Sequence, residues 1–171
     1  MRAPAEVRLD RFQRIMNRIF YESDRGGVIV VEGLKDRESL RKLGVKGRIL
    51  CLQSSRRNTV AFAEELEGVH DVVMLTDFDR EGVSLAKRLA RILSSHRIHT
   101  NLSLWQALRH LTRSDVRSIE ELPKYHQRLQ IESLGRLPAW DRAFDVPSFA
   151  QRRWLPETKA RQSRNRARRH R

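Results

Sequence analysis

The chain has a single cysteine, Cys51, which excludes an internal disulfide and any zinc site built from several thiolates. Cys51 falls inside an apolar run and reads as a small core residue rather than a nucleophile. No run of about 18 apolar residues occurs, which argues against a membrane span. The opening Met1-Arg2-Ala3-Pro4-Ala5-Glu6 lacks the apolar centre of a secretory leader, so the expected compartment is the cytoplasm. Also missing are a glycine loop followed by Lys-Ser/Thr that would cradle phosphates, a Gly-x-Gly-x-x-Gly turn, and any internal repeat. The six histidines, at 70, 96, 99, 110, 126 and 170, lack metal-ligand spacing and read as surface or satisfied side chains.

Lysine is scarce as well. Six lysines, at 35, 42, 46, 87, 124 and 159, stand against 29 arginines, and the formal net charge is +14. Arginine binds phosphate through a planar, bidentate fork, so this bias points to nucleic acid more than to simple solubility. A compositional bias of the genome would produce the same excess. A pI near 11.3 in a chain of 171 residues still favours an RNA or DNA partner. A membrane surface is a weaker fit, because no segment is basic on one face and bulky-apolar on the other.

Apolar periodicity predicts an amphipathic helix over 7–20, with Leu9, Phe12, Met16, Ile19 and Phe20 inward. Arg8, Arg11, Arg14 and Arg18 lie between them, as a solvated face or the edge of a nucleic-acid surface. Asp24-Arg25-Gly26-Gly27 breaks the helix. Val28-Ile29-Val30-Val31 is a β-branched run, the first buried strand, ending on Glu32-Gly33, where the glycine allows a tight turn. A helix follows over 36–43, then a second strand over 48–52. The polar loop Gln53-Ser54-Ser55-Arg56-Arg57-Asn58 comes next, and Thr59 caps a helix running to Glu67. A third strand, Val72-Val73-Met74-Leu75, leads to a helix over 82–93, and 98–102 reads as a polar edge strand. The alternation implies a right-handed parallel sheet with helices on both faces.

The third strand stops at Thr76-Asp77-Phe78-Asp79-Arg80-Glu81-Gly82. Residues i and i+2 of an extended segment point to the same side, so Asp77 and Asp79 can converge at the strand's carboxyl end. Ligand crevices of open α/β sheets lie there. Glu32 is expected at the same end, because a carboxylate directly after an apolar strand avoids the core. Crowded carboxylates raise one another's pKa unless a cation lies between them, and Mg²⁺ suits such an oxygen-rich set. The same acids also suit the first turn of a helix, and the spacing alone leaves both readings open.

Beyond 103 the pattern becomes helical. Leu104, Trp105, Leu108 and Leu111 form one stripe, and Ile119, Leu122, Leu129 and Ile131 imply one or two further helices near Pro123. From 135 prolines and isolated aromatics alternate, and 157–171 hold Lys159 with arginines 161, 164, 166, 168, 169 and 171. That composition predicts a disordered basic arm that binds phosphate backbone by counterion release. The expected organisation is an N-terminal helix over 1–24, an α/β core over 25–102, helices over 103–134 and an extended basic tail over 135–171.

Glu32-Gly33 and Asp77-Phe78-Asp79-Arg80-Glu81-Gly82 together resemble the Toprim superfamily: topoisomerases, bacterial-type primases, recombination-repair proteins and the 5S rRNA maturation endonuclease. A Glu after the first strand and Asp-x-Asp after the third is that family's signature. The Asp-x-Asp-x-Glu form is similar to topoisomerases, whereas Glu32-Gly33-Leu34-Lys35-Asp36 resembles the maturation endonuclease. Small stand-alone Toprim proteins, many archaeal, are similar beyond the motifs, in Leu111 to Leu122. Ser54-Ser55 departs from the endonuclease type, which carries Gly-Ser, and the basic arm belongs to no common motif.

The resemblance implies a Toprim α/β fold, a Rossmann-like parallel sheet of about four strands. It implies Glu32 as general acid/base and Asp77, Asp79 and Glu81 as holders of Mg²⁺, or of Mn²⁺ in its place. Lys35, Arg56, Arg57 and Arg80 become candidate phosphate contacts, joined by Arg161, Arg164, Arg166, Arg168 and Arg169 of the arm. Asp36 would support the metal site or cap its helix. The chain lacks room for topoisomerase gate domains, neither Tyr21 nor Tyr125 stands in a nucleophile context, and the extra domains of a primase are missing. The expectation is a Mg²⁺-dependent endonuclease on structured RNA, such as a ribosomal RNA precursor. A non-catalytic RNA-binding or ribosome-associated protein, and a DNA nuclease of repair, are the alternatives.

Overall fold

A computed structural model describes residues 3–53, 59–112 and 115–135. The polar loop at 54–58 with Arg56 and Arg57, the side chain of Thr59, and the tail with Arg161, Arg164, Arg166, Arg168 and Arg169 lie outside the described residues. Helix α1 (Ala5–Asp24) leads into β1 (Val28–Val31), α2 (Leu34–Lys42), β2 (Ile49–Cys51) and α3 (Thr59–Glu65). There follow β3 (Asp71–Leu75), α4 (Arg80–Ser95), β4 (His99–Asn101), α5 (Ser103–Thr112), a 3₁₀ turn (Ile119–Glu121) and α6 (Leu122–Leu134).

All four strands are parallel and lie in the order β2-β1-β3-β4. The two central strands are the most deeply buried: β1 throughout, and β3 from Val72 onward. Val28 pairs with Val72 and Val31 with Leu75, so β1 and β3 end level. The polar His-Thr-Asn of β4 is tolerated because that strand is at an edge. This is the expected α/β parallel sheet flanked by helices. Helices α3 and α4 pack together, while α1 packs against α5 and α6 and α2 against α6 and the 3₁₀ turn.

From β1 the chain passes through α2 to β2 on one side; from β3 it passes through α4 to β4 on the other. The connections diverge at the carboxyl ends of β1 and β3, which opens a crevice there. Glu32 and Asp77-Phe78-Asp79 are the residues that leave those two strand ends.

In α1, Ala5, Phe12, Met16 and Ile19 are buried as the stripe requires, but so is Arg8. Its assignment with the solvated arginines is therefore corrected. Position 8 is one turn before Phe12, on the buried stripe, and its charge is neutralised in place: Arg8 Nη1 lies 3.2 Å from Asp115 Oδ2 and Nη2 lies 2.8 Å from Glu132 Oε2. On α6, Leu122 and Leu129 are buried whereas Ile131 is 63% exposed. Among the described residues no helix is long and apolar enough to cross a membrane.

Candidate active site at the carboxyl ends of β1 and β3

Glu32 folds back over the strand end, where its Oε1 accepts the backbone N–H of Asp77 at 2.9 Å. The Asp77 carboxylate is held in turn: its Oδ1 accepts the N–H of Ile119 at 2.9 Å. Asp79 Oδ1 accepts the N–H of Gly82 at 2.8 Å and so caps α4. Asp36, 6% exposed, receives the N–H of Gly33 on Oδ2 at 2.9 Å. Glu81, Arg80 and Lys35 are exposed beside the crevice.

The loop backbone is pinned from several sides. Trp105 Nε1 donates to the Thr76 carbonyl at 2.8 Å and Arg109 Nε to the Phe78 carbonyl at 3.3 Å. The Phe78 N–H donates to the Arg117 carbonyl at 2.8 Å, and Thr76 Oγ1 donates to the Gly82 carbonyl at 3.0 Å. A Cβ on Gly82 would stand 2.2 Å from the Asp77 carbonyl oxygen, so the sharp passage from loop to α4 requires glycine at that position. Gly33 is different. The backbone bends at Glu32-Gly33 as expected, but Gly33 is extended (φ −134°, ψ 177°) at the start of α2, so the bend draws on no conformation reserved to glycine. What crowds it is the Gln53 side chain, whose Oε1 would be 3.2 Å from an added Cβ.

The carboxylates strain against one another. Burial first, and then the charges of Asp36, Glu32 and Asp79, together push the Asp77 carboxyl up to about 6, with the Ile119 amide opposing. Glu32 is also raised, first by burial and then by Asp36, Asp79 and Glu81, while the Asp77 amide opposes the shift. Asp36 is raised by burial and by Glu120, with the Gly33 and Glu120 amides opposing. Among the described residues no arginine or lysine forms an ion pair with Glu32, Asp36, Asp77, Asp79 or Glu81. Two routes relieve such a set: a shared proton or a cation.

Among the described residues no three Asp, Glu, His or Cys side chains stand where they could ligate one ion. Mg²⁺ does not need three. It is commonly held by one or two carboxylates and keeps several waters. Hard carboxylate oxygens with no basic partner among the described residues fit that ion, and Asp77 and Asp79 are the candidates to hold it.

Sequence reasoning had placed Glu32, Asp36, Asp77, Asp79 and Glu81 near this end, and the fold brings all five to the crevice. It missed the far side: the Ile119 amide, Glu120, the Trp105 indole and Arg109. Trp105 read as core, and it is 5% exposed, but its single polar atom serves the acidic loop.

Residues 27–105 match the Toprim domain. The UPF0292 protein of Thermococcus sibiricus is 34% identical over 125 residues, which span 73% of this chain and 96% of that protein. The chain belongs to the UPF0292 family of Toprim proteins. The UPF0292 protein of Thermococcus kodakarensis is 33% identical, covering 66% of this chain and 84% of that one. That of Pyrococcus abyssi is 35% identical, covering 61% and 78%. A solved protein from Aquifex aeolicus superposes with a TM-score of 0.53 at 24% identity, covering 64% of this chain and 95% of its own, which shows the shared fold. Toprim domains are associated with metal-dependent nucleotidyl-transfer and nuclease-type chemistry on nucleic acids, which is what the match over residues 27–105 suggests.

Proposed function

We propose that this Toprim protein is a Mg²⁺-dependent endonuclease that hydrolyses phosphodiester bonds of structured RNA, with ribosomal RNA precursors as the substrate class. The observation that carries the reading is the pairing of Glu32 with the Asp77 amide at the level ends of β1 and β3. It sets a carboxyl of raised pKa directly beside two acids able to hold a hard cation. In hydrolysis, water adds to phosphorus and the ester P–O bond breaks. Glu32 takes the proton from the attacking water and returns it to the departing oxygen, a role that a carboxyl titrating closer to neutrality performs better. Mg²⁺ on Asp77 and Asp79, with Glu81 beside it, would neutralise charge on the phosphoryl group. The net charge of +14 and the arginine excess support a nucleic-acid partner, RNA and DNA alike; the choice of RNA follows the resemblance of Glu32-Gly33-Leu34-Lys35-Asp36 to the maturation endonuclease.

The proline and aromatic residues from 135 onward, followed by the arginines of 157–171, favour a second reading, a non-catalytic RNA-binding or ribosome-associated protein on a Toprim scaffold. The two readings part in one experiment. Wild type and Asp77→Ala/Asp79→Ala are incubated with structured ribosomal RNA precursor, and with duplex DNA, in Mg²⁺, Mn²⁺ or EDTA. The endonuclease reading expects cleavage in metal alone, reduced about 100-fold or more in the double variant. Tight RNA binding that both proteins retain, with no cleavage by either, establishes the second reading instead; cleavage of DNA alone moves the substrate.

A further inference from the structure

Against the acidic loop, at Phe78, is a cleft of about 440 Å³ lined also by Gln106, Arg109 and His110 of α5. Phe78 stands between Asp77 and Asp79, and its carbonyl accepts the Arg109 Nε–H at 3.3 Å, so the cleft lies against the backbone of the acidic loop. Positions 106, 109 and 110 are spaced i, i+3 and i+4 on α5 and share one face of it. Among the described residues Arg109 is the one arginine whose side chain hydrogen-bonds the acidic loop, through Nε to the Phe78 carbonyl. Its guanidinium carbon lies 5.7 Å from the centre of the Trp105 ring, within cation–π range. Trp105 is in turn fixed to Thr76 through its indole N–H.

Two anchors thus orient the Arg109 fork before any ligand arrives. Nε is used for the loop, and the two Nη groups remain for an acceptor in the cleft. An arginine held this way loses less side-chain entropy on binding than a surface arginine, and its fork matches phosphate oxygens. A polyanion approaching several carboxylates needs such a counter-charge close by. The volume suits one nucleotide, and the Gln106 amide can donate to and accept from a base edge.

We propose that this cleft is the subsite for the nucleotide next to the phosphate at the carboxylates: Arg109 grips its phosphate, and Gln106 meets its base or sugar. The proposal rests on the reading of the crevice as a nucleic-acid site, but it concerns binding, not cleavage. It is therefore tested in EDTA, where no hydrolysis is expected. Fluorescence anisotropy of a short labelled single-stranded RNA, with the same sequence in DNA alongside, is measured over a series of salt concentrations. The proteins are wild type, Arg109→Ala, Arg109→Lys, Gln106→Ala, and Arg14→Ala as a control outside the cleft lining, where the exposed Arg14 of α1 is paired with Asp10. Circular dichroism and the urea midpoint verify folding.

The expected result is about tenfold weaker binding for Arg109→Ala, with the slope of log K against log salt reduced by roughly one. Arg109→Lys should recover only part of the affinity, because lysine lacks the Nε anchor, and Arg14→Ala should match wild type. A loss for Gln106→Ala on RNA alone would assign its contact to the 2′-hydroxyl, and an equal loss on both would assign it to the base. Arg109→Ala within twofold of wild type, an equal loss in Arg14→Ala, or no binding by the wild type would each overturn the subsite. Failure of cleavage in the earlier experiment would leave this result standing.

Discussion

Asp77→Asn should make the protein more stable above neutrality. The folded Asp77 carboxyl titrates at about 6 against an ordinary value of 3.8. Between those values the native state binds more protons than the unfolded chain. The contribution to stability is therefore intact below the unfolded value and falls as pH rises through about 6. The gap corresponds to about 3 kcal/mol at roughly 1.4 kcal/mol per unit. One side of the carboxyl faces solvent, and screening reduces this to about 1–2 kcal/mol. Asparagine removes the charge but keeps an oxygen for the Ile119 N–H.

Urea unfolding of both proteins in EDTA, at about pH 4.5 and about pH 8, reads the difference directly. At the lower pH, already above the unfolded value, only about a third of the final difference should be present. At the higher one the variant should lead by about 1–2 kcal/mol, a rise of about 3–8 °C in Tm. Glu32 and Asp36 share the same field, so the midpoint of the change belongs to the cluster rather than to one residue. Millimolar Mg²⁺ should then narrow the gap, because an ion that binds only the native wild type stabilises it by mass action. A variant less stable than wild type at pH 8, or a gap independent of pH, would show that Asp77 is not an electrostatically strained carboxylate.

Gly82→Ala should cost at least about 2 kcal/mol in urea unfolding, since the added Cβ meets the Asp77 carbonyl oxygen at 2.2 Å and the backbone must shift. The helix preference of alanine returns only about 1 kcal/mol. Arg8→Ala should cost about 2–3 kcal/mol on the same measurement. That is less than the usual loss for breaking a buried pair, because Arg128 Nη2 also lies 3.2 Å from Asp115 Oδ2. A near-neutral Arg8→Ala would show that the Arg8 network does not hold α1 to α6.

The strands and the end of the sheet that carries the acids could be read from local pattern. An all-apolar Val28–Val31, a charged stop after Leu75 and the period-2 geometry of extended chain place Glu32, Asp77 and Asp79 with no knowledge of the rest of the fold. What could not be read is how those carboxylates are held. Glu32 meets the Asp77 amide across 45 residues of sequence, Asp77 meets the Ile119 amide across 42, and Arg8 meets Asp115 across 107. A backbone amide has no signature in the sequence, since every residue except proline carries one. Which of them faces a carboxylate depends on how α5, the 3₁₀ turn and α6 come to rest against α1 and α2. The same packing buries Arg8 on a stripe where its neighbours are apolar and turns the Trp105 indole toward the acidic loop. Short-range pattern thus determined which acids gather at the strand ends, and long-range packing decided how they are held and raised the carboxyls of Glu32, Asp36 and Asp77, because burial and amide contacts are properties of the assembled core.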